Sequence, residues 1–461
     1  MLTKQKVKDF FMSSIKNPLL MTCVLLTFGY LLSGYLKWLE IVVSIGAIIA
    51  MLILPIQKAF CIFLYLHNFT LSDIKYNFGF TITFIAFTGI LLLKYIIGLI
   101  SKKHKFYPGV FLTLALILII SLCISIGKPI YSGALIFIAY IPLFYLMFAM
   151  HKEFILKQCI RYLLLGLIVS CFFAVIAIFL PNYKLNPIMD GRFIAFTDNP
   201  NYLYMRAIFI LTYYMYRFLN RTLSHKKFYL YLKFILIYIF CAVIVLSTLS
   251  KTGICMLALL TVVFTILYLK DNTKKRLKAV GIFLLIILVV GVAGYKFVFE
   301  IVERFFEIKN GDVIGSILTG RDDIWADYLR ACGESHFTLL FGHGLITEQV
   351  FITAQNQTQA SHNLYIFMLY RFGIVGIILF VIAIALMVKN LNKQKINIFA
   401  SIPVIWFLIE SFCDNTFKVF NIIYVVLVAM ILFDDTEGES KIPISTNKTQ
   451  EKTNKDKTQK S

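Results

Sequence analysis

The sequence predicts an all-α fold: a polytopic transmembrane helix bundle of about 14 helices, with one long extracytoplasmic loop containing a short amphipathic helix. Three observations predict it. Of 461 residues, 59% are hydrophobic and 15% charged, with a mean hydropathy of +0.82, whereas a soluble globule is nearer half apolar and about a quarter charged. The apolar stretches run for about 16 to 25 residues, the length that crosses a hydrocarbon core of about 30 Å. The cations gather in short loops between these stretches, alternating with loops poor in Lys and Arg.

The formal net charge of +21 would suit a nucleic-acid binder, but its distribution excludes that class. The basic loops are Lys102 to Lys105, Lys152 to Arg161, Arg217 to Lys227, Lys270 to Lys278 and Lys389 to Lys395, and Lys4, Lys6, Lys8 and Lys16 precede the first apolar run. This is the pattern of cytoplasmic loops in a membrane protein. The nine cysteines are scattered and form no CxxC pair, so neither a metal site nor a disulfide framework is expected.

The first run, 19–36, is followed by no small-x-small cleavage site and reads as a membrane helix rather than a signal peptide. Further runs lie near 38–55, 56–71, 78–99, 109–126, 130–150, 161–180, 203–220, 229–248, 252–269, 278–298, 363–388, 396–412 and 419–433. The run 56–71 is the weakest, being short and carrying Lys58 and His67. Counting it as a helix puts every basic loop and both termini on one side. The expected organisation is then a cytoplasmic N-terminus (1–18), helices 1–11 over 19–298 with an external loop at 181–202, a large extracytoplasmic loop at 299–362, and helices 12–14 over 363–433. A Lys-, Thr-, Asn- and Gln-rich cytoplasmic tail without apolar periodicity, 434–461, reads as disordered. The loop 299–362 carries nine acidic residues against four basic, which suits the outer face, and a connection of that length is usually functional.

Several residues on that face have the chemistry of an anion site. In 181–202 (PNYKLNPIMDGRFIAFTDNPNY), Gly191-Arg192 precedes Asp198-Asn199-Pro200-Asn201. A guanidinium fork matches phosphate oxygens, although an arginine near lipid headgroups is the plainer reading. Lys251, in the Ser250-Lys251-Thr252-Gly253 turn, is either a second cation or a snorkelling anchor. In the long loop, Gly320-Arg321-Asp322-Asp323 opens a segment that places Ile324, Tyr328 and Leu329 on one helical face with Trp325 beside it, an amphipathic helix capped by acids. Leu340-Phe341-Gly342-His343-Gly344 reads as a tight turn. His362, at the mouth of the helix 363–388, is the candidate base or proton donor, with His343 as its rival. Arg206, Arg371, Glu410 and Asp414 are ionisable groups within or beside apolar runs. Such groups are costly in a bilayer and therefore functional candidates lining an outward polar cavity; a structural salt bridge such as Arg371–Glu410 is the alternative.

In this order the segments GR-x2-IW-x3-L, LFGHG, SHNLY and a GIVG-containing helix, from Gly320 to Gly376, resemble the signature region of the O-antigen polymerase/ligase family of bacterial membrane glycosyltransferases. The Gly-Arg-x6-NPN loop and the Ser-Lys-x-Gly turn are similar to its two other external basic sites. The resemblance implies transfer of an undecaprenyl-pyrophosphate-linked glycan to an acceptor hydroxyl on the outer leaflet of the bacterial cell membrane, without metal or other cofactor. Its implied partners are the lipid-linked oligosaccharide, membrane lipid and other polysaccharide-assembly proteins, and no nucleic acid. It implies that Arg192 and Arg321 hold the pyrophosphate, with Arg321 and His362 catalytic; Lys251 and the intramembrane charges Arg206, Arg371 and Glu410 are the further candidates for substrate binding. Where relatives often place arginine, Lys251 keeps the charge but not the fork. The favoured reading is a capsular or surface polysaccharide polymerase. A ligase acting on another lipid or a protein is the alternative, and a lipid-linked-sugar flippase or other transporter is a third reading from another class.

Overall fold

The computed structural model describes residues 17–36, 38–69, 78–128, 134–197, 199–221, 227–269, 281, 321–345, 349–352, 357–391 and 398–413, with 424, 427, 428, 430 and 431. Within them the chain is an α-helical membrane protein. Its helices are α1 Pro18–Ser33, α2 Leu39–Ile53, α3 Ile56–Leu66, α4 Phe78–Ile100, α5 Pro108–Ile124, α6 Ala134–Ala149, α7 Leu156–Ala177, α8 Pro200–Arg221, α9 Lys227–Ser247, α10 Lys251–Leu269, α11 Arg321–Cys332, α12 His336–Phe341, α13 Leu364–Leu391 and α14 Ser401–Cys413. Two hairpins interrupt them: β1 (Ile188–Met189) with β2 (Arg192–Phe193), and β3 (Gln349–Ile352) with β4 (Gln357–Ala360). The runs expected at 278–298 and 419–433 lie wholly or mostly outside the described residues, as do both termini, residues 299–320, Asp198 and Asp414.

Among the described residues, four helices are long and apolar enough to cross a membrane: Leu156–Ala177, Tyr229–Ser247, Lys251–Leu269 and Leu364–Asn390. Seven further apolar helices are shorter. Leu25, Phe28, Ile45, Ile97, Phe172, Val262 and Val381 are exposed on helix surfaces. An apolar exterior of this extent suits hydrocarbon, since a soluble monomer rarely exposes large contiguous apolar patches.

The weakest run becomes α3, which covers only 11 residues. At about 1.5 Å per residue it reaches roughly half the hydrocarbon thickness. Every residue from Ala59 to Leu66 is buried, so α3 is apolar on all sides because protein surrounds it. It packs on α7 and α2. A Cβ at Gly166 would stand 2.4 Å from the Tyr65 carbonyl oxygen, so only glycine permits this approach. Just beyond α3, the Asn68 side chain donates to Leu163 O (3.0 Å), and Ser170 Oγ donates to Asn68 O (2.9 Å). These bonds satisfy polar backbone groups that lipid cannot.

α8 runs through the core with nearly every residue buried, touching α7, α9, α10 and α14. Gly253 lets α10 lie against it, since a Cβ there would be 2.8 Å from Tyr204 Cγ.

The run read as one helix from 363 to 388 is broken. Gly373 sits at φ 61, ψ −171, so α13 is a half-helix from Leu364 followed by a longer apolar helix to Leu391. The cause is tertiary. The Leu340–Gly344 segment crosses the break backbone to backbone: a Cβ on Gly342 would lie 2.3 Å from Arg371 O, and one on Gly373 would lie 2.3 Å from Leu340 O. His343 N–H donates to Tyr370 O (2.8 Å) and Gly344 N–H to Arg371 O (3.0 Å), capping the half-helix.

α11 corrects one expectation. Its buried stripe is Ile324, Tyr328 and Cys332, whereas Leu329 is 50% exposed. Spacing of four keeps residues on one face, but at 100° per residue the fifth has turned 140° away from Ile324. The stripe packs with Ile352 and Tyr370 into a small satellite core.

Candidate functional site

Arg192 is aimed by the β1–β2 hairpin. Asp190 and Gly191 both have positive φ (52 and 72) and join the paired residues Met189 and Arg192, the two-residue Asp-Gly turn that matches strand twist. The guanidinium Nε donates to Thr248 O at the end of α9 (2.7 Å), and Nη2 reaches Asn201 Oδ1 at 3.5 Å. A cation is favourable against the carbonyl end of a helix. Ser250 Oγ donates to the same Asn201 oxygen (3.2 Å) and accepts from Gly253 N–H (3.4 Å), capping α10, whose first residue is Lys251. The structure therefore joins the Gly-Arg loop to the Ser-Lys-x-Gly turn, two segments that lie 56 residues apart in sequence.

The second cluster is built on α11. Asp322 and Asp323 lie in its first turn after Arg321. The Trp325 indole N–H donates to Ser361 O (2.9 Å) and Tyr328 OH to Gln359 O (3.0 Å). Arg321 is one helical turn before Trp325, and His362 follows Ser361 directly, so docking of α11 brings the two candidate catalytic residues to neighbouring pieces of chain. His362 is partly exposed at φ 47, between the buried Ser361 and Asn363. Asn363 Oδ1 accepts from Tyr365 N–H (2.9 Å) and Ile366 N–H (3.1 Å), capping the half-helix of α13. A non-glycine residue at positive φ costs about 1 kcal/mol or more and is a pointer to a constrained site.

His343 is held differently. Its ring stacks on Tyr370 (4.4 Å between centroids), and Nε2 donates to Ala331 O at 3.1 Å. A carbonyl only accepts, so this nitrogen carries the proton. His343 thus staples α11 to α13.

Arg206, Arg371 and Glu410 are 1%, 2% and 0% exposed, so these side chains lie within protein rather than at its surface. Arg371 Nη1 donates to Gly344 O (3.3 Å) and its guanidinium lies over Phe367 (5.1 Å), clasping the glycine crossing. Glu410 accepts from Tyr204 OH (2.8 Å). Arg206 stands near His67 and Tyr424, and Tyr424 OH meets His67 Nε2 at 3.3 Å. Sequence reading missed Asn201, Ser361 and Tyr204. The Asn-Pro-Asn and Ser-His-Asn strings were the available signals for the first two; Tyr204, in a tyrosine-rich helix, had none.

α14 connects the clusters. Its Glu410 faces Tyr204 of α8, Leu408 O accepts from Tyr365 OH (3.1 Å), and Phe412 meets the Trp325 ring edge-on at 5.1 Å. A family model described as O-antigen ligase matches residues 235–381. Over this segment the chain is similar to the O-antigen ligase family. The matched O-antigen ligase region takes in Lys251, Arg321, the glycine crossing, His362 and Arg371, while Arg192 joins it from outside through Thr248. No curated protein and no solved structure matches the chain. Among the described residues, no group of three or more His, Cys, Asp or Glu side chains is placed to hold a metal ion.

Proposed function

We propose that this O-antigen ligase-type protein is a membrane glycosyltransferase that moves a glycan from undecaprenyl pyrophosphate to a sugar hydroxyl on another lipid-linked repeat unit. The observation that carries the reading is the matched segment, in which Arg321 and His362 stand on pieces of chain tied together by the Trp325–Ser361 bond. In this reading the acceptor oxygen attacks the anomeric carbon, the bond from that carbon to the pyrophosphate oxygen breaks, and the hydroxyl proton passes to His362. The departing pyrophosphate gains negative charge, which Arg321 and Arg192 stabilise. A leaving group already activated needs charge stabilisation and positioning more than covalent help. The active face is the extracytoplasmic one, which carries the 181–202 and 299–362 loops. Arg371, Arg206 and Glu410 support that face from within the bundle, and Lys251 adds a cation beside Arg192.

The matched family's description favours one second reading, ligation to a different lipid or a protein acceptor. Reconstituted turnover of an undecaprenyl-pyrophosphate repeat unit separates the two, because a polymerase yields a ladder of lipid-linked products without a second acceptor. His362→Ala is expected to lower turnover by about 100-fold or more, in the range of a lost general base, while His343→Ala, if folded, keeps the chemical step. Arg321→Lys should recover little of the activity lost in Arg321→Ala, since a point charge does not replace a fork. Wild-type turnover by His362→Ala would remove the base assignment.

A further inference from the structure

The cations at the opposite ends of α7, α8 and α9 form a feature that the glycosyl-transfer reading does not use. Arg192 lies in the connection between the end of α7 and the start of α8. At the other ends of these helices, and at the start of α9, a cavity of about 280 Å³ is lined by Lys157, Arg161, Arg217 and Lys233, with Tyr214 and Tyr229 among its walls. Among the described residues, no carboxylate lines it. Lys157, Arg161 and Lys233 are exposed, but Arg217 is only 7% exposed. Lys233 Nζ stands 5.4 Å from the Tyr214 ring centroid.

A basic loop that merely orients the chain needs charge, but neither concavity nor a buried guanidinium. Four cations around one hollow give it a positive field that attracts an anion. The hollow lies at helix ends, and tyrosine is the residue that tolerates both ring burial and a wet hydroxyl at a membrane interface. Its volume is at or below the small end of ligand pockets, about 300 Å³, and so suits a phosphate ester better than an oligosaccharide.

We propose that this cavity binds the phosphodiester headgroup of an anionic membrane phospholipid, on the face opposite Arg192. Arg217 supplies the inner contact to the phosphate, and Lys157, Arg161 and Lys233 close around its rim. Basic pockets between membrane helices hold anionic headgroups by this combination of charge and shape. The site is independent of the transfer chemistry, so its test is a binding measurement.

The full chain, purified in detergent, is titrated with dioleoylphosphatidylglycerol, dioleoylphosphatidylcholine or inorganic phosphate while its thermal unfolding is followed. The wild type should be stabilised by phosphatidylglycerol and not by the other two. The variant Lys157→Gln/Arg161→Gln/Lys233→Gln removes three exposed charges, and its apparent affinity for phosphatidylglycerol should fall at least about tenfold. Lys102→Gln/Lys103→Gln/Lys105→Gln, in the basic loop between α4 and α5, should respond as the wild type does. Equal losses in the two triple variants would mean that general surface charge, not the cavity, attracts the lipid. An equal response to inorganic phosphate, or an unchanged response in the cavity variant, would also overturn the proposal.

Discussion

Gly342 and Gly373 each occupy a backbone conformation with positive φ at the point where two chain segments touch. Gly342→Ala adds both αL strain and a Cβ 2.3 Å from Arg371 O, so it should lower stability by about 2 kcal/mol or more. Gly127, at φ 76, has nothing within 4 Å of the added Cβ, and Gly127→Ala should cost only the strain, about 1 kcal/mol. Thermal unfolding of the two variants in the same detergent measures the difference, and equal losses would show that the crossing carries no stability. Cys332 offers a second residue-level check. Burial on the inner face of α11 pushes its thiol up from 9.0 to about 11. Below pH 9 the thiol is protonated in both folded and unfolded chains. Between 9 and about 11 the unfolded chain releases its proton and the folded one does not, so stability falls as pH rises through this window. With the other cysteines replaced, Cys332 should resist maleimide at pH 8 and react as pH approaches 11; rapid alkylation at pH 8 would contradict its burial.

Among the elements, α11 is tied by Trp325 both to the segment before α13, through Ser361, and to α14, through Phe412. Trp325→Phe deletes the indole hydrogen bond, worth about 1 kcal/mol. Hydrogen exchange should quicken in 321–332 and stay unchanged in α8. Equal exchange in both proteins would mean that α11 is fixed mainly by its Ile324–Tyr328–Cys332 stripe. The amphipathic character of α11 was legible because acids, Ile324, Trp325 and Tyr328 fall at helical spacing. The side to which Leu329 turned was not, since an exposed leucine and a buried one look alike in sequence. The break in α13 was equally hidden. Phe372-Gly373-Ile374 sits in an apolar run, and an isolated glycine there weakens a helix without ending it. Only the arrival of Leu340–Gly344 from outside the run makes it a break. Arg192 and Lys251 were legible singly, as cations beside glycines, but Asn201, which joins them, looked like part of a turn.

For the molecule as a whole, membrane residence was legible because a bilayer imposes a length and a polarity on each segment that composition alone reveals. The burial of Arg206, Arg371 and Glu410 was not, because sequence marks a charge as intramembrane without saying whether water or protein meets it. The orientation rests on the alternating basic loops. Glu334, exposed beyond α11, lies on the face expected outside. In a cysteine-free background, Glu334→Cys should react with an impermeant maleimide in intact cells. Labelling only after lysis would invert the molecule and move every proposed site residue to the cytoplasm.

The broken helix also bears on the order of synthesis. Residues from Ile374 to Leu391 number enough, at about 1.5 Å each, to nearly match the hydrocarbon thickness without help. The half-helix before them ends in the Tyr370 and Arg371 carbonyls, which are capped by amides of His343 and Gly344. These donors leave the ribosome first and wait for their acceptors. The membrane span is therefore able to insert on its own hydrophobicity, whereas the layer carrying His362 and Arg321 closes only when both sides of the glycine crossing are present. Folding of the candidate site therefore waits on the arrival of the half-helix and not on the span that follows it.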